Sequence, residues 1–379
     1  MSAARPTRAP AWAPLALALW LVGSAAAAKD PPCAAPAPVC AARDAVFAVS
    51  AFDPLASAVR IGPDLLVTNR HVVADAARAV LVLRDGRRIE AEVVPSAYAG
   101  DLALLRAAGL DPGPALAPAE AAPGGALYTV AADAAGGRVR VYPPGRPIVG
   151  PAPGKPLARL HHSAPSEPGN SGGALLDAAG RLVGIVSAGG QGRYEAIPAA
   201  RVAALRAESG PAYRDADRRL GAAYRACIEA LDRAERGGPG LDEARAQALQ
   251  RACGASGNRQ LFDLAAQALG RAGRLARSQA MFERALEQDP HALNARIGLV
   301  VTLHLARRYG AAVAHASWLL DVLPEDRQVL RLAVVSGKWG GAPGLAERAL
   351  ALLEAHHPLL APSARRFLDS EAGPPARRP

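Results

Sequence analysis

Three short segments of the 379-residue chain carry residue types suited to nucleophilic catalysis. They are Thr68-Asn69-Arg70-His71-Val72-Val73, Gly100-Asp101-Leu102-Ala103-Leu104-Leu105 and Pro168-Gly169-Asn170-Ser171-Gly172-Gly173-Ala174-Leu175. A serine hydroxyl is a poor nucleophile near neutral pH. It needs an imidazole to take its proton and a carboxylate to hold that imidazole in the right tautomer. His71, Asp101 and Ser171 supply those three types. The loop Gly169-Asn170-Ser171 would form an oxyanion hole, with the N–H groups of Gly169 and Ser171 aimed at one developing charge. Gly169 can take a backbone angle that a side chain forbids. Gly172 and Gly173 keep the turn open for a substrate chain.

Such groups act only if a scaffold positions them. From Ala45 to Ile197 the chain reads as short β-type runs separated by Gly, Pro and Asp. Examples are Val46–Ser50, Leu65–Thr68, Val80–Leu83, Ile89–Val94, Leu102–Arg106, Tyr128–Val130, Val139–Tyr142 and Leu182–Ser187. Asp85-Gly86 is a hairpin-turn signal. Many short strands without long helices between them predict an antiparallel barrel or sandwich. From Val202 onward Ala, Leu, Arg and Glu recur at helical spacing, broken at Pro211, at 237–240 and at 254–257.

The helical part carries a period. Pro290, Pro324 and Pro358 are 34 residues apart. Small residues Ser278, Ala312 and Ala346 precede them at a constant offset, as do Phe282, Ala316, Leu350 and then Ala285, Leu319, Leu353. Gly273 sits where the first helix pair would turn. The pattern resembles the tetratricopeptide repeat, best in 259–292 and degenerate afterwards. An ordinary helical bundle is the alternative.

Taken together, the three catalytic segments resemble trypsin-like serine proteases, and closely their Deg-type (high-temperature-requirement) branch. The order His, Asp, Ser fits chymotrypsin-like barrels, not the subtilisin or α/β-hydrolase orders. The resemblance covers about residues 44–205 and includes Asp85-Gly86-Arg87 and Ala196-Ile197-Pro198. It implies a chymotrypsin-like double β-barrel followed by an all-α, tetratricopeptide-like domain. It implies that Gly184-Ile185-Val186-Ser187-Ala188-Gly189 lines the specificity pocket. Ser187 would bond the substrate backbone, Ala188 and Gly189 would form the wall, and Pro165 would be the floor. With no carboxylate at that floor, cleavage after a modest apolar residue is expected. Two departures stand out. Ala56-Ser57-Ala58 replaces a glycine-rich entry. Asn170 replaces the aspartate that pairs with a freed N-terminus in digestive proteases, so activation by N-terminal clipping is not expected.

The N-terminus reads as a secretory signal over 1–28: Arg5 and Arg8, the apolar run Leu15–Val22, then small residues to Ala28. The apolar run is too short to span a bilayer, so no membrane span is expected in the mature protein. Export predicts a bacterial periplasmic or secreted location and makes disulfides the favoured fate of Cys33, Cys40, Cys227 and Cys253. Nearest-neighbour pairing gives Cys33–Cys40 and Cys227–Cys253; four cysteines allow two other pairings.

The net charge of +10 is carried by 44 basic residues, of which only Lys29, Lys155 and Lys338 are lysines. The arginines are scattered, with no basic run and no aromatic interleaving, so no nucleic-acid partner is expected. No phosphate loop or metal-ligand spacing appears, and His161-His162 is a poor chelate on a strand. Neither cofactor nor metal is expected.

The predicted organisation is a signal peptide (1–28), a linker (29–43) with Cys33 and Cys40, a protease domain (44–205) and a helical domain (212–366). The repeats span about 259–360, and 367–379 is a tail. The expected function is an exported serine endopeptidase acting on proteins or peptides, with a protein partner or substrate held by the repeats. A catalytically silent adaptor or scaffold is the rival.

Overall fold

The computed structural model describes residues 33–120, 124–133, 137–236 and 240–374. The expected signal peptide and the end of the tail lie outside them. The described residues from Ala34 onward form one compact unit.

After a short helix α1 (Ala37–Ala41), six strands close into an antiparallel barrel in the order β1-β2-β3-β6-β5-β4. They are β1 (Val46–Ser50), β2 (Ala56–Arg60), β3 (Leu65–Thr68), β4 (Arg78–Val82), β5 (Arg88–Val94) and β6 (Ala103–Arg106). Its interior is narrow and filled by small and branched side chains, among them Val49, Ala56, Ala58, Leu66, Ala79, Leu81, Ala91, Val93 and Leu105. A one-turn helix, α2 (Arg70–Val73), follows β3 and plugs this core with Val72 and Val73, both fully buried. His71, between them and Arg70, is thereby aimed outward at the seam between the two sheets.

The second sheet has seven strands in the order β8-β7-β11-β12-β13-β10-β9. They are β7 (Leu127–Ala132), β8 (Val139–Val141), β9 (Pro147–Val149), β10 (Leu160–His162), β11 (Ala174–Asp177), β12 (Leu182–Gly190) and β13 (Arg193–Pro198). A shared core joins the sheets, with Val59, Val67, Leu102 and Leu104 from the first packed with Val130, Leu176, Ile185 and Ile197 from the second. This is the chymotrypsin-like double barrel. Helix α3 (Arg201–Ala207) closes it, burying Val202 and Leu205.

Among the described residues nine α-helices follow: α4 (Arg214–Arg236), α5 (Glu243–Ala255), α6 (Arg259–Arg271), α7 (Leu275–Gln288), α8 (Leu293–Leu305), α9 (Tyr309–Val322), α10 (Arg327–Gly340), α11 (Pro343–His356) and α12 (Ala361–Asp369). Their starts repeat at 34 residues. The first helices of successive pairs begin at 259, 293 and 327, and the second helices at 275, 309 and 343. The chain turns through the left-handed region at Gly273, Arg307 and Gly341, again 34 apart. Ser278, Ala312 and Ala346 are all buried, which lets paired helices approach closely.

The helical part begins at the barrel. Gly221 of α4 lies so close to the turn after α2 that a Cβ there would stand 2.4 Å from the Ala74 carbonyl oxygen. Asp217 of α4 pairs with the fully buried Arg70 at 2.6 Å and accepts from Ser96 N at 3.0 Å. Cys227 of α4 and Cys253 of α5 form a disulfide, and none of the four cysteines is a free thiol. Closing this loop stabilises by about 3.5 kcal/mol in the chain-entropy model. Replacing both cysteines by serine is expected to lower the urea midpoint of the helical transition correspondingly, with a double alanine variant as the packing control.

Candidate active site

Asp101 follows β5 and leads into β6, and it is almost wholly buried. It grips His71 twice. Its Oδ2 lies 2.8 Å from His71 Nδ1, and its Oδ1 accepts the His71 main-chain N–H at 3.0 Å. Asn69 reinforces the pair by donating from Nδ2 to the Asp101 carbonyl oxygen at 3.0 Å. Burial by itself would raise the Asp101 pKa. His71 and Arg159 outweigh burial and hold the carboxyl below its ordinary value. The arrangement fixes the Nδ1-protonated tautomer and leaves Nε2 for chemistry.

The Ser171 loop is held by main-chain and side-chain bonds. Gly169 takes φ of +94°, in the left-handed region. Ser57 of β2 fastens both sides of the loop. Its Oγ donates to Gly169 O at 2.9 Å, and its N–H donates to Ser171 O at 2.8 Å. The Ala56-Ser57-Ala58 departure thus places a clamp where the family pattern has glycine. With those carbonyls engaged on the barrel side, the Gly169 and Ser171 N–H groups have no protein partner among the described residues.

The Asn170 N–H is different, because it donates to Glu167 O at 3.0 Å and is not available to an oxyanion. The Asn170 side chain locks the loop internally. It accepts from Glu167 N at 2.9 Å and donates to Ala132 O at 2.8 Å and to the Tyr142 hydroxyl at 3.0 Å. Ser171 Oγ donates to Ser187 O at 3.3 Å, and no bond joins it to His71 in this conformation.

A cleft of about 690 Å³ opens beside Ser171. Ser187 and Gly189 line it, as the sequence led one to expect; the Ala188 side chain lies outside the described residues. Pro165, the expected pocket floor, is not among the residues that line this cleft. The chain dips inward at the fully buried Ala164 and regains the cleft surface only at Ser166 and Glu167.

Three further residues reach the site that sequence reading did not find. Arg159, just before β10, is buried between the sheets and the helices. It donates to Ser187 Oγ at 2.9 Å, to Glu195 at 3.3 Å and to Asp101 Oδ2 at 3.5 Å. Gln260 of α6 accepts from Ser187 Oγ at 3.0 Å and from Arg159 at 3.3 Å. Ser187 Oγ also lies 3.1 Å from Asp101 Oδ2. Asp289, capping the C-terminus of α7, accepts from Arg159 N at 3.2 Å and stands 3.1 Å from His161 Nε2. No local motif marks any of the three, because their partners in the site lie between 28 and 130 residues away in the chain.

A buried charge cluster therefore joins the catalytic side to the helices. Glu195 of β13 pairs with Arg259 of α6 and with Arg159. Burial opposes both carboxylates. Arg259, His161 and Arg159 nevertheless keep Glu195 below its ordinary pKa, and His161 and Arg259 take Asp289 down to about 2. His162, adjacent to His161, faces away and has no partner on either ring nitrogen; burial takes its pKa down to about 3.

Asp263, one turn further along α6, is the exception among the carboxylates. Burial raises it to about 6 despite Arg259. A carboxyl whose folded pKa exceeds its unfolded value costs stability as it ionises. That loss grows from about pH 4 to pH 6 and is complete above. Asp263→Asn is therefore expected to raise Tm at pH 7.5 by an amount worth on the order of 1–3 kcal/mol, with little gain at pH 4. Calorimetry at the two pH values checks the difference.

Fold and side-chain set together define the class: a double barrel with His, Asp and Ser at the seam. Residues 56–185 match the family model of the trypsin-like peptidase domain, about a third of the chain, so this chain carries such a domain and its architecture is that of a serine protease. Helices α4–α12 lie outside the matched residues. Among solved structures the chain is similar to the Rv3671c protease of M. tuberculosis in an inactive form. The identity is 26% over 47% of this chain and 98% of that one, with a TM-score of 0.39. It is also similar to the HtrA-type protease AlgW with tripeptide, at 30% identity over 45% of this chain and 61% of that one, TM-score 0.40. No curated protein matches the chain.

Proposed function

We propose that this protein is an exported serine endopeptidase. The observation that carries the reading is the double grip of Asp101 on His71 beside a Ser171 loop whose Gly169 and Ser171 N–H groups have no protein partner among the described residues. In that reading His71 takes the Ser171 proton as the hydroxyl attacks the scissile carbonyl. Asp101 orients the ring and stabilises the imidazolium. Gly169 and Ser171 N–H groups hold the oxyanion. His71 then returns the proton to the leaving amine, and water releases the acyl group by the reverse sequence. The Ser171 hydroxyl must first rotate from the Ser187 carbonyl toward His71, a change that substrate binding commonly brings about in such sites.

Export is part of the proposal. It rests on the 1–28 segment and on the disulfides, which persist in oxidising compartments. Cys33–Cys40 pairing, tetratricopeptide character of the helix pairs, a modest apolar residue before the cleaved bond, and action without a cofactor belong to the same proposal. Among the described residues no helix is long and apolar enough to cross a membrane.

One observation favours a second reading, binding without cleavage: the Ser171 hydroxyl is bonded to a carbonyl rather than to His71. A fluorophosphonate probe separates the two. Labelling of the wild type but not of Ser171→Ala supports the endopeptidase. No labelling of purified, folded protein over the pH range 6–9 overturns it.

A further inference from the structure

The cleft that holds Ser171 does not end on the barrels. Its far wall is made by α6 and α8, which bring apolar side chains beside polar ones such as Asp263, Gln267 and Thr302. Leu264 of α6 is 41% exposed and Leu305 of α8 is 59% exposed, two of only three large hydrophobic side chains so exposed among the described residues. Ile297, Val301 and Leu305 also line it, four residues apart, so α8 presents one continuous apolar stripe to the cleft. Such exposure is unfavourable unless something covers it.

The same cleft contains an unpaired strand edge. Up to Ile185, β12 is bonded on both sides, to β11 and to β13. From Ala188 to Gly190 it pairs only with β13. The open edge starts at Ser187, whose carbonyl touches the Ser171 hydroxyl, and runs away from Ser171 toward the helices. An extended peptide added to this edge antiparallel, as β11 and β13 are, would place its C-terminal end at Ser171 and lead its N-terminal residues outward. Gly189 and Gly190 have no side chains, so on this side nothing of β12 stands between that peptide and the α6 and α8 residues that line the same cleft.

The two walls are fastened together. Arg193, at the start of β13, donates to Asn294 of α8 at 3.2 Å and pairs with Asp326, the N-cap of α10. Asn294 in turn donates to Arg193 O at 3.1 Å. The charges at the base of the cleft, Glu195 and Arg259, are consumed by each other. What remains for an occupant is a free strand edge opposite a helical wall on which Leu264, Ile297, Val301 and Leu305 stand among the polar Asp263, Gln267, Arg271 and Thr302.

We propose that α6 and α8 supply distal substrate subsites, so that the preferred substrate is an extended polypeptide with apolar side chains several residues before the cleaved bond. This rests on the endopeptidase reading. The occupant is the substrate chain, because Ser171, the open edge at Gly189 and Gly190, Leu264 and Leu305 line one and the same cleft.

The test uses full-length protein and two peptide series with one scissile bond. One series has two residues before the bond and the other has eight, the distal four being Leu-rich or Asp-rich. The long Leu-rich peptide is expected to exceed the short one at least about tenfold in kcat/KM, and the long Asp-rich peptide is expected to gain nothing. Leu264→Asp with Leu305→Asp should collapse that ratio toward one. Binding of the long Leu-rich peptide to Ser171→Ala, read by fluorescence anisotropy, should weaken on adding the same pair. A ratio near one in the wild type, or a ratio unchanged in the double variant, overturns the subsites while leaving the protease reading intact. Failure of fluorophosphonate labelling overturns the protease reading; anisotropy then decides the groove alone. A groove covered instead by a second copy would appear as a dimer dissolved by the double variant, with no length effect, and would also overturn the proposal.

Discussion

Ser171→Ala is expected to reduce kcat by about a millionfold, and His71→Ala by a similar amount, because nucleophile and base act as one unit. Asp101→Asn is expected to cost about ten-thousandfold. The amide cannot accept from both the His71 ring and the His71 main chain, so the imidazole loses its tautomer and orientation. Peptide hydrolysis under saturating substrate reads all three. The residual rate of Ser171→Ala should match that of the double variant Ser171→Ala/His71→Ala, since neither group works without the other. Independent, additive losses would mean that the two do not share a proton and would sink the triad assignment.

Glu195→Ala is expected to be the most destabilising single substitution at the junction of sheets and helices. Arg159 and Arg259 are both almost fully buried and share this carboxylate. They already repel each other, and that repulsion together with burial lowers the Arg159 pKa. Removing the shared anion leaves two buried guanidinium groups with Asp101 at 3.5 Å from Arg159 and Asp289 at 3.9 Å from Arg259 as their nearest remaining ion-pair partners. Breaking a buried ion pair by removing one partner costs about 3–5 kcal/mol. Urea unfolding of Glu195→Ala should show that loss. A companion variant, Arg159→Met with Glu195→Leu, should recover much of it, because replacing a whole buried pair by apolar groups is often near neutral. A loss below about 0.5 kcal/mol for Glu195→Ala would show that the cluster is wetter than its burial implies.

The comparison of sequence with structure follows which interactions are local. Strands such as Val46–Ser50 and Leu65–Thr68 were readable to the residue, because branched side chains and flanking turns mark them. Ala56–Arg60 and Ala174–Asp177 carry no such mark. They are strands because all their residues are buried between neighbours, not because Ala, Ser or Asp favours extension. The helical period was legible from Pro290, Pro324 and Pro358, while Arg307 was not seen as a left-handed turn residue because it is not glycine.

His71, Asp101 and Ser171 are legible in the sequence as a candidate reactive set, since they lie in short segments with distinctive neighbours. The sequence by itself also determined the double-barrel class and the helical period, both of which rest on patterning within a few dozen residues. Only the tertiary structure decided what surrounds that set. Ser57 clamps the nucleophile loop from 114 residues away in the chain. Gln260 and Asp289 bring the helices to within hydrogen-bonding distance of Ser187 and Arg159. Burial makes such long-range polar contacts strong and specific, but it leaves no periodicity and no motif, so nothing in the linear order of residues announces them.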